Sequence, residues 1–214
     1  MLDFQTPDGP LAVAIERLIV AGWTGRDDAS VQHHIEELAA IGVPRPSKVP
    51  LFYEVSPTLA TQADRIAVLG QETSGEVEPL VINAGGMLWL GLASDHTDRG
   101  LEAVSVAHAK QACPKVLGRA LWPLAPLEDR LDQLALRSVI DDDVLYQEGL
   151  LAAILPLRSL IDAAGLPEGA AMLCGTLPAI GGVRSATRYR MSLIDAEGAA
   201  IQLEYRCEAL PVIA

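Results

Sequence analysis

The stretch Thr73–Arg99, TSGEVEPLVINAGGMLWLGLASDHTDR, constrains this chain more than any other. Two extended runs flank Ala84-Gly85-Gly86, so the segment reads as a hairpin with a glycine turn. Side chains two apart on a strand share a face, which projects Glu76 and Glu78 together while Val77 points the other way. Asp95 arrives at the end of the returning strand. Carboxylates gathered without a counter-charge repel until one takes a proton, and a hard divalent cation removes that conflict. Glu76, Glu78 and Asp95 are therefore candidate ligands for a Mg²⁺-type ion. On spacing alone the other reading stays open, since a Glu-x-Glu strand is more often a solvated face.

A chain of 214 residues suits one large domain, taken as 1–214. Half of the residues are apolar and 21% are charged, which excludes a disordered chain and suggests apolar surface buried against a second subunit. A formal charge of -12 opposes binding to nucleic acid or anionic membranes, both of which attract Lys and Arg. Cys113, Cys174 and Cys207 are widely spaced and form no CxxC, the usage of a reducing compartment. The apolar run Leu11–Trp23 is interrupted by Glu16 and Arg17 and falls short of the ~20 residues that span a bilayer. No charged leader precedes an apolar block at the start. The expectation is a soluble cytoplasmic protein.

Strands are expected at Leu2–Gln5 and Leu11–Ala21, about a turn at Pro7-Asp8-Gly9-Pro10. Asp27, Asp28 and Ser30 precede a helix carrying Val31, Ile35 and Leu38, with Gly42 as its stop. On that helix His34 and Glu37 lie about 60° apart, so they form either one reactive flank or an ordinary solvated surface. The pattern predicts strands at Leu51–Glu54 and Arg65–Leu69 and a helix over Arg99–Gln111, where Lys110 in the last turn complements the helix dipole. A hairpin spans Leu134–Ile140 and Val144–Gln147, a helix covers Leu150–Ala164 and stops at Gly165, and Ala170–Cys174 is a buried strand. A glycine-punctuated loop at Gly175–Gly182 and strands at Ala186–Leu193 and Ile201–Leu210 close the chain. Strands outnumber helices and return through tight turns, so the fold class is a β-rich α+β arrangement.

Taken in order, these motifs resemble the fumarylacetoacetate hydrolase superfamily from about Ala21 to Leu210. Its His-x-x-Glu helix is similar to His34-Ile35-Glu36-Glu37, and its Glu-x-Glu strand to Glu76-Val77-Glu78. Its Asp-x-(Thr/Ser)-x-Arg resembles Asp95-His96-Thr97-Asp98-Arg99, and its Lys-Ser-Phe…Cys-Pro resembles Lys110-Gln111-Ala112-Cys113-Pro114. Gln147-Glu148-Gly149 and the loop Gly175-Thr176-Leu177-Pro178-Ala179-Ile180-Gly181 complete the series. Departures lie at Asp98 and Gly100 and in the strand Phe52-Tyr53-Glu54-Val55, where a lysine usually follows.

The resemblance implies a rolled β-sheet core with flanking helices, a homodimer, and Mg²⁺ or Mn²⁺ held by Glu76, Glu78 and Asp95. It implies a small anionic 2-oxo acid or β-diketone as substrate, cleaved hydrolytically at a C–C bond, with decarboxylation or a hydratase or tautomerase reaction as alternatives. His34, oriented by Glu37, would take a proton from water, and Lys110 would hold a substrate oxygen. Arg99, Gly175 and Thr176 would bind a carboxylate. A non-catalytic, metal-dependent oxo-acid binding protein is the alternative from another class. The changes at Asp98 and Gly100 mark the place to look for an unusual substrate.

Overall fold

The structure is a computed structural model that describes residues 1–40 and 45–213, apart from the side chains of His34, Glu37 and Leu38. The chain opens with β1 (Leu2–Thr6), β2 (Gly9–Val13), β3 (Arg17–Gly22), α1 (Asp28–Ala40), β4 (Leu51–Val55), β5 (Ala60–Thr61) and β6 (Arg65–Leu69). The long hairpin β7 (Thr73–Ala84) and β8 (Met87–Asp98) leads into α2 (Arg99–Glu102), α3 (Val106–Gln111), β9 (Lys115–Leu117) and β10 (Trp122–Pro123). Then follow β11 (Ala135–Ile140), β12 (Val144–Leu150), α4 (Leu157–Ala164), β13 (Ala170–Leu173), β14 (Arg188–Ile194) and β15 (Ala200–Leu210).

Among the described residues, three sheets result. β1 and β2 pair alone; an eight-stranded sheet runs β4-β3-β13-β7-β8-β9-β5 with β10 on β8; a five-stranded sheet runs β12-β11-β14-β15-β6. Most pairs are antiparallel, with parallel pairs at β3–β13, β5–β9 and β6–β15. The expected β-rich α+β class is the one observed.

The larger sheet is buried on both faces. Along β7, Val77 and Val81 pack toward the five-stranded sheet with Leu136, Met191 and Leu203. Leu80 and Ile82 pack on the opposite side with Phe4 and Val13 of the small hairpin. This two-sided burial places much of the chain's apolar half inside a single copy of the chain.

Three expected elements are broken where the chemistry demands it. Leu11–Ala21 is two strands, because the chain leaves the small hairpin for the large sheet and Glu16 N bonds Gly169 O at 2.9 Å between them. The helix expected over Arg99–Gln111 is two short helices, since Ser105 is extended and its hydroxyl accepts from His108 N. The helix expected from Leu150 begins at Leu157, because Pro156 disfavours helical geometry before it; Leu151–Ala153 is only a 3-10 turn. The helix does end at Gly165, whose φ is 57°. Asp27 caps α1 as expected, whereas the expected stop at Gly42 lies outside the described residues.

Candidate metal centre

Strand register assembles the site. Gly85 and Gly86 both have positive φ, the requirement of a tight hairpin turn, and the ladder folded about them sets Glu76 opposite Asp95 and Glu78 opposite Ala93. On the other side of β8, β9 sets Lys115 opposite Asp95. Glu76, Asp95 and Lys115 therefore form one cross-strand row, and residues so placed have Cβ atoms about 4.5–5.5 Å apart. The carboxylates of Glu76, Glu78 and Asp95 each offer an oxygen within 4.8 Å of the others.

The cluster is deep. Asp95 is 0% exposed and Glu78 2%. Burial pushes the Glu78 carboxyl well above the usual range, and the neighbouring Asp95 charge adds to the shift. Burial would also raise Asp95, but the Lys110 and Lys115 ammonium groups outweigh it and hold the group ionised. Lys110 bonds Asp95 Oδ2, and Lys115 Nζ lies 3.0 Å from Oδ1. Burial works against the charge on Arg99 too, yet Glu76 and Glu102 keep its guanidinium firmly protonated.

Among the residues picked out by sequence, Lys110 is drawn into the cluster and its Nζ also lies 5.8 Å from the Tyr53 ring centre. Arg99 turns back onto the sheet, with Nη2 3.1 Å from Glu76, Nη1 2.8 Å from Glu102, and Nε donating to Ser74 Oγ at 2.7 Å. Gly175 donates its amide to Glu78 Oε2 at 2.7 Å. Its φ is 100°, and a Cβ there would overlap Thr24 Oγ1, so only glycine brings this amide to the carboxylate. Thr176 Oγ1 donates to Val77 O at 2.8 Å and accepts from Gln147 Nε2 at 2.8 Å. Gln147 in turn accepts from Val77 N at 2.9 Å, which clamps the carboxylate strand from below. The side chains of His34 and Glu37 lie outside the described residues. Asp98 acts locally, its Oδ1 capping α2 by accepting from Leu101 N at 2.9 Å.

Sequence reading passed over Lys115, which is 0% exposed and donates to His96 O at 2.6 Å and Cys113 O at 3.2 Å. The available signal was a lysine inside the apolar run after Cys113-Pro114. It also passed over the reverse face of β8. There His96 Nδ1 meets Tyr205 OH at 2.9 Å and Nε2 meets Thr73 Oγ1 at 2.9 Å. Burial, assisted by the charges of Lys115 and Arg99, lowers the His96 pKa to about 3, so the ring is neutral. A hollow of about 350 Å³ opens behind this face between Thr73, Cys207 and Asp141, and no triad residue lines it. Donor chemistry rather than concavity marks the site.

The residues present fit a hard divalent cation. Three carboxylates converge, Glu78 is a poor anion without further positive charge, and buried Asp95 Oδ1 has no well-directed hydrogen bond. Three cations, Arg99, Lys110 and Lys115, stand against four carboxylates, Glu76, Glu78, Asp95 and Glu102, so a divalent ion would shift the site from net negative to net positive.

Among curated proteins, none matches this sequence. Solved structures do. A protein assigned as a fumarylpyruvate hydrolase from Burkholderia cenocepacia is 18% identical, with a TM-score of 0.70 over 98% of this chain and 92% of that one. Maleylpyruvate hydrolase from Sphingobium sp. SYK-6, in complex with manganese and pyruvate, is 14% identical, with a TM-score of 0.63 over 92% of this chain and 72% of that one. A 2-keto-3-deoxy-D-arabinonate dehydratase complexed with magnesium and 2,5-dioxopentanoate is 13% identical, with a TM-score of 0.63 over 95% of this chain and 76% of that one. These likenesses show the fold of the fumarylacetoacetate hydrolase superfamily. On that fold, and matched from residue 21 to residue 205, the chain belongs to the family described as a protein of unknown function, DUF2848.

Proposed function

We propose that the protein is a Mg²⁺- or Mn²⁺-dependent enzyme that hydrolyses a C–C bond in an acylpyruvate or related 2-oxo acid. The observation that carries this reading is the convergence of Glu76, Glu78 and Asp95 within 4.8 Å on one face of the hairpin, beside Lys110. The pyruvate and manganese held by a hydrolase of this fold support it.

Glu76, Glu78 and Asp95 would hold the ion, and the amide of Gly175, which donates to Glu78 Oε2, would help to fix that carboxylate. Bound there, the ion would polarise the substrate's oxo and carboxylate oxygens and stabilise the enolate-like charge left when the C–C bond breaks. Lys110, the partner of Asp95 that also neighbours Tyr53, would donate to a substrate oxygen. Arg99 would favour a carboxylate through its charge, and from the sequence motif the Gly175-Thr176 turn would add to that subsite. From the sequence motif, His34 would take a proton from water and Glu37 would hold its ring.

A second reading, hydration or dehydration of a 2-oxo acid on the same residues, is favoured by the dehydratase of the same fold. We also infer a homodimer, supported by exposed Leu69 beside its register partner Leu210, with Val212 nearby. A cytoplasmic setting is supported by three free cysteines and, among the described residues, by the lack of a helix long and apolar enough to cross a membrane.

A panel of acylpyruvates, oxaloacetate and hydroxylated oxo acids, assayed with Mg²⁺ or Mn²⁺ by loss of enol absorbance and product analysis, tests the reaction. Loss of turnover in His34→Ala is expected for hydrolysis; unchanged turnover would remove the proton-transfer role given to His34.

A further inference from the structure

Asp95 is held by two lysines in unlike surroundings. Lys110 stands at the end of α3 on the side of Tyr53, and its charge also acts on Glu76 and Glu78. Lys115 approaches from within the sheet. It is the direct cross-strand partner of Asp95, it is 0% exposed, and its remaining donors are taken by the carbonyls of His96 and Cys113. Those three partners fix the ammonium in place.

We propose that Lys115 is a built-in counter-charge and positioning residue of the metal centre. It holds Asp95 from behind as a fixed anion, so that Lys110 is released from Asp95 when a divalent cation enters and becomes available to the substrate. The same charge sets the strength of metal binding. The incoming ion then meets a weaker field than three free carboxylates would give, because the ammonium 3.0 Å from Asp95 Oδ1 repels a divalent cation arriving at that carboxylate. A centre with this device binds its metal less tightly than its three carboxylates alone would, yet keeps the ligand geometry before metal arrives.

This rests on the proposed metal centre, and its sign separates it from an ordinary structural role. Removing a lysine that merely supports the sheet would lower stability and leave metal affinity equal or weaker. Removing a counter-charge lowers stability and strengthens metal binding. The test is Mn²⁺ titration of the full chain, by calorimetry and by the electron paramagnetic resonance signal of free Mn²⁺, for wild type and Lys115→Met. We expect Lys115→Met to melt lower and to bind Mn²⁺ at least about tenfold more tightly. Wild type that binds Mn²⁺ while Lys115→Met binds it equally or more weakly overturns this inference alone. Wild type that binds no Mn²⁺ overturns the metal centre and this inference together. Should Lys115→Met fail to fold, metal-free Asp95→Asn and Asp95→Asn/Lys115→Met are compared by urea unfolding. The double variant is expected to be the more stable, since Asp95→Asn alone strands a buried ammonium, and equal or lower stability overturns the pairing.

Discussion

The two faces of the hairpin β7–β8 carry nearly the same density of polar groups and treat them in opposite ways. On the reverse face, Ser94, His96, Thr73 and Tyr205 are buried and bonded to one another, with Tyr205 OH 2.9 Å from both Ser94 Oγ and His96 Nδ1. On the obverse face, Glu76, Glu78 and Asp95 are like-charged, close, and balanced only by cations reaching in from other elements. A network of neutral donors and acceptors satisfies itself and rigidifies a core. A cluster of carboxylates does not, and it stays poised for a ligand that brings positive charge. The self-satisfied network and the candidate metal cluster differ here in charge type, on the same pair of strands.

The largest test of this contrast is on the obverse face. Glu76→Gln is expected to abolish the rise in melting temperature on adding Mg²⁺ or Mn²⁺ and to lower turnover at least about 100-fold, equivalent to about 2.7 kcal/mol. A melting shift that survives in the variant removes Glu76 from the ligand set. Gly175→Ala comes next. It forces a side chain onto Thr24 at a left-handed backbone position and is expected to cost about 1–3 kcal/mol in urea unfolding, with weaker metal binding because the amide leaves Glu78.

On the reverse face, Tyr205→Phe removes the hydroxyl shared by Ser94 and His96 and should cost about 1–3 kcal/mol while Mn²⁺ affinity holds constant. A loss of metal affinity comparable to that of Glu76→Gln would merge the two faces into one unit. The gentlest effect is on pH. Neutral buried His96 has a folded pKa of about 3 against an ordinary value of 6.5, so the unfolded chain takes up the proton first. Its contribution is complete above about pH 6.5 and is lost progressively as pH falls toward 3. Urea midpoints measured between about pH 7.5 and 4.5 should decline, and less steeply in His96→Asn.

The features that were legible in sequence are those set by short-range period. The alternation of Glu76, Val77 and Glu78 and the paired glycines at the turn sufficed to place two carboxylates on one face and to bring Asp95 back to them. The resemblance of motif order then singled out Lys110 and Gly175, which structure brings to Asp95 and Glu78 respectively. Lys115 was not legible, because nothing local says that the three residues of β9 add to the hairpin's free edge opposite Asp95. The reverse-face network was equally hidden, since it joins β7 and β8 to Tyr205, more than a hundred residues further along. Helix lengths were misread where one residue competes with the periodic pattern, Ser105 through its hydroxyl and Pro156 through its ring. Asp98, where the sequence departs from the family pattern, ends β8 and caps α2, a local role that its sequence spacing did not signal.

The twelve-residue arms of β7 and β8 have a bearing on how relatives of this chain can diverge. Side chains on a strand alternate, so inserting one residue between Glu78 and the Gly85-Gly86 tip would carry both glutamates to the face now held by Val77 and His96. Length changes within either arm are therefore tolerable only in twos or as a bulge, and the exposed tip is held in place by its two left-handed glycines, whose amides donate to Glu168. Parity, more than residue identity, is the inheritance this hairpin has to protect.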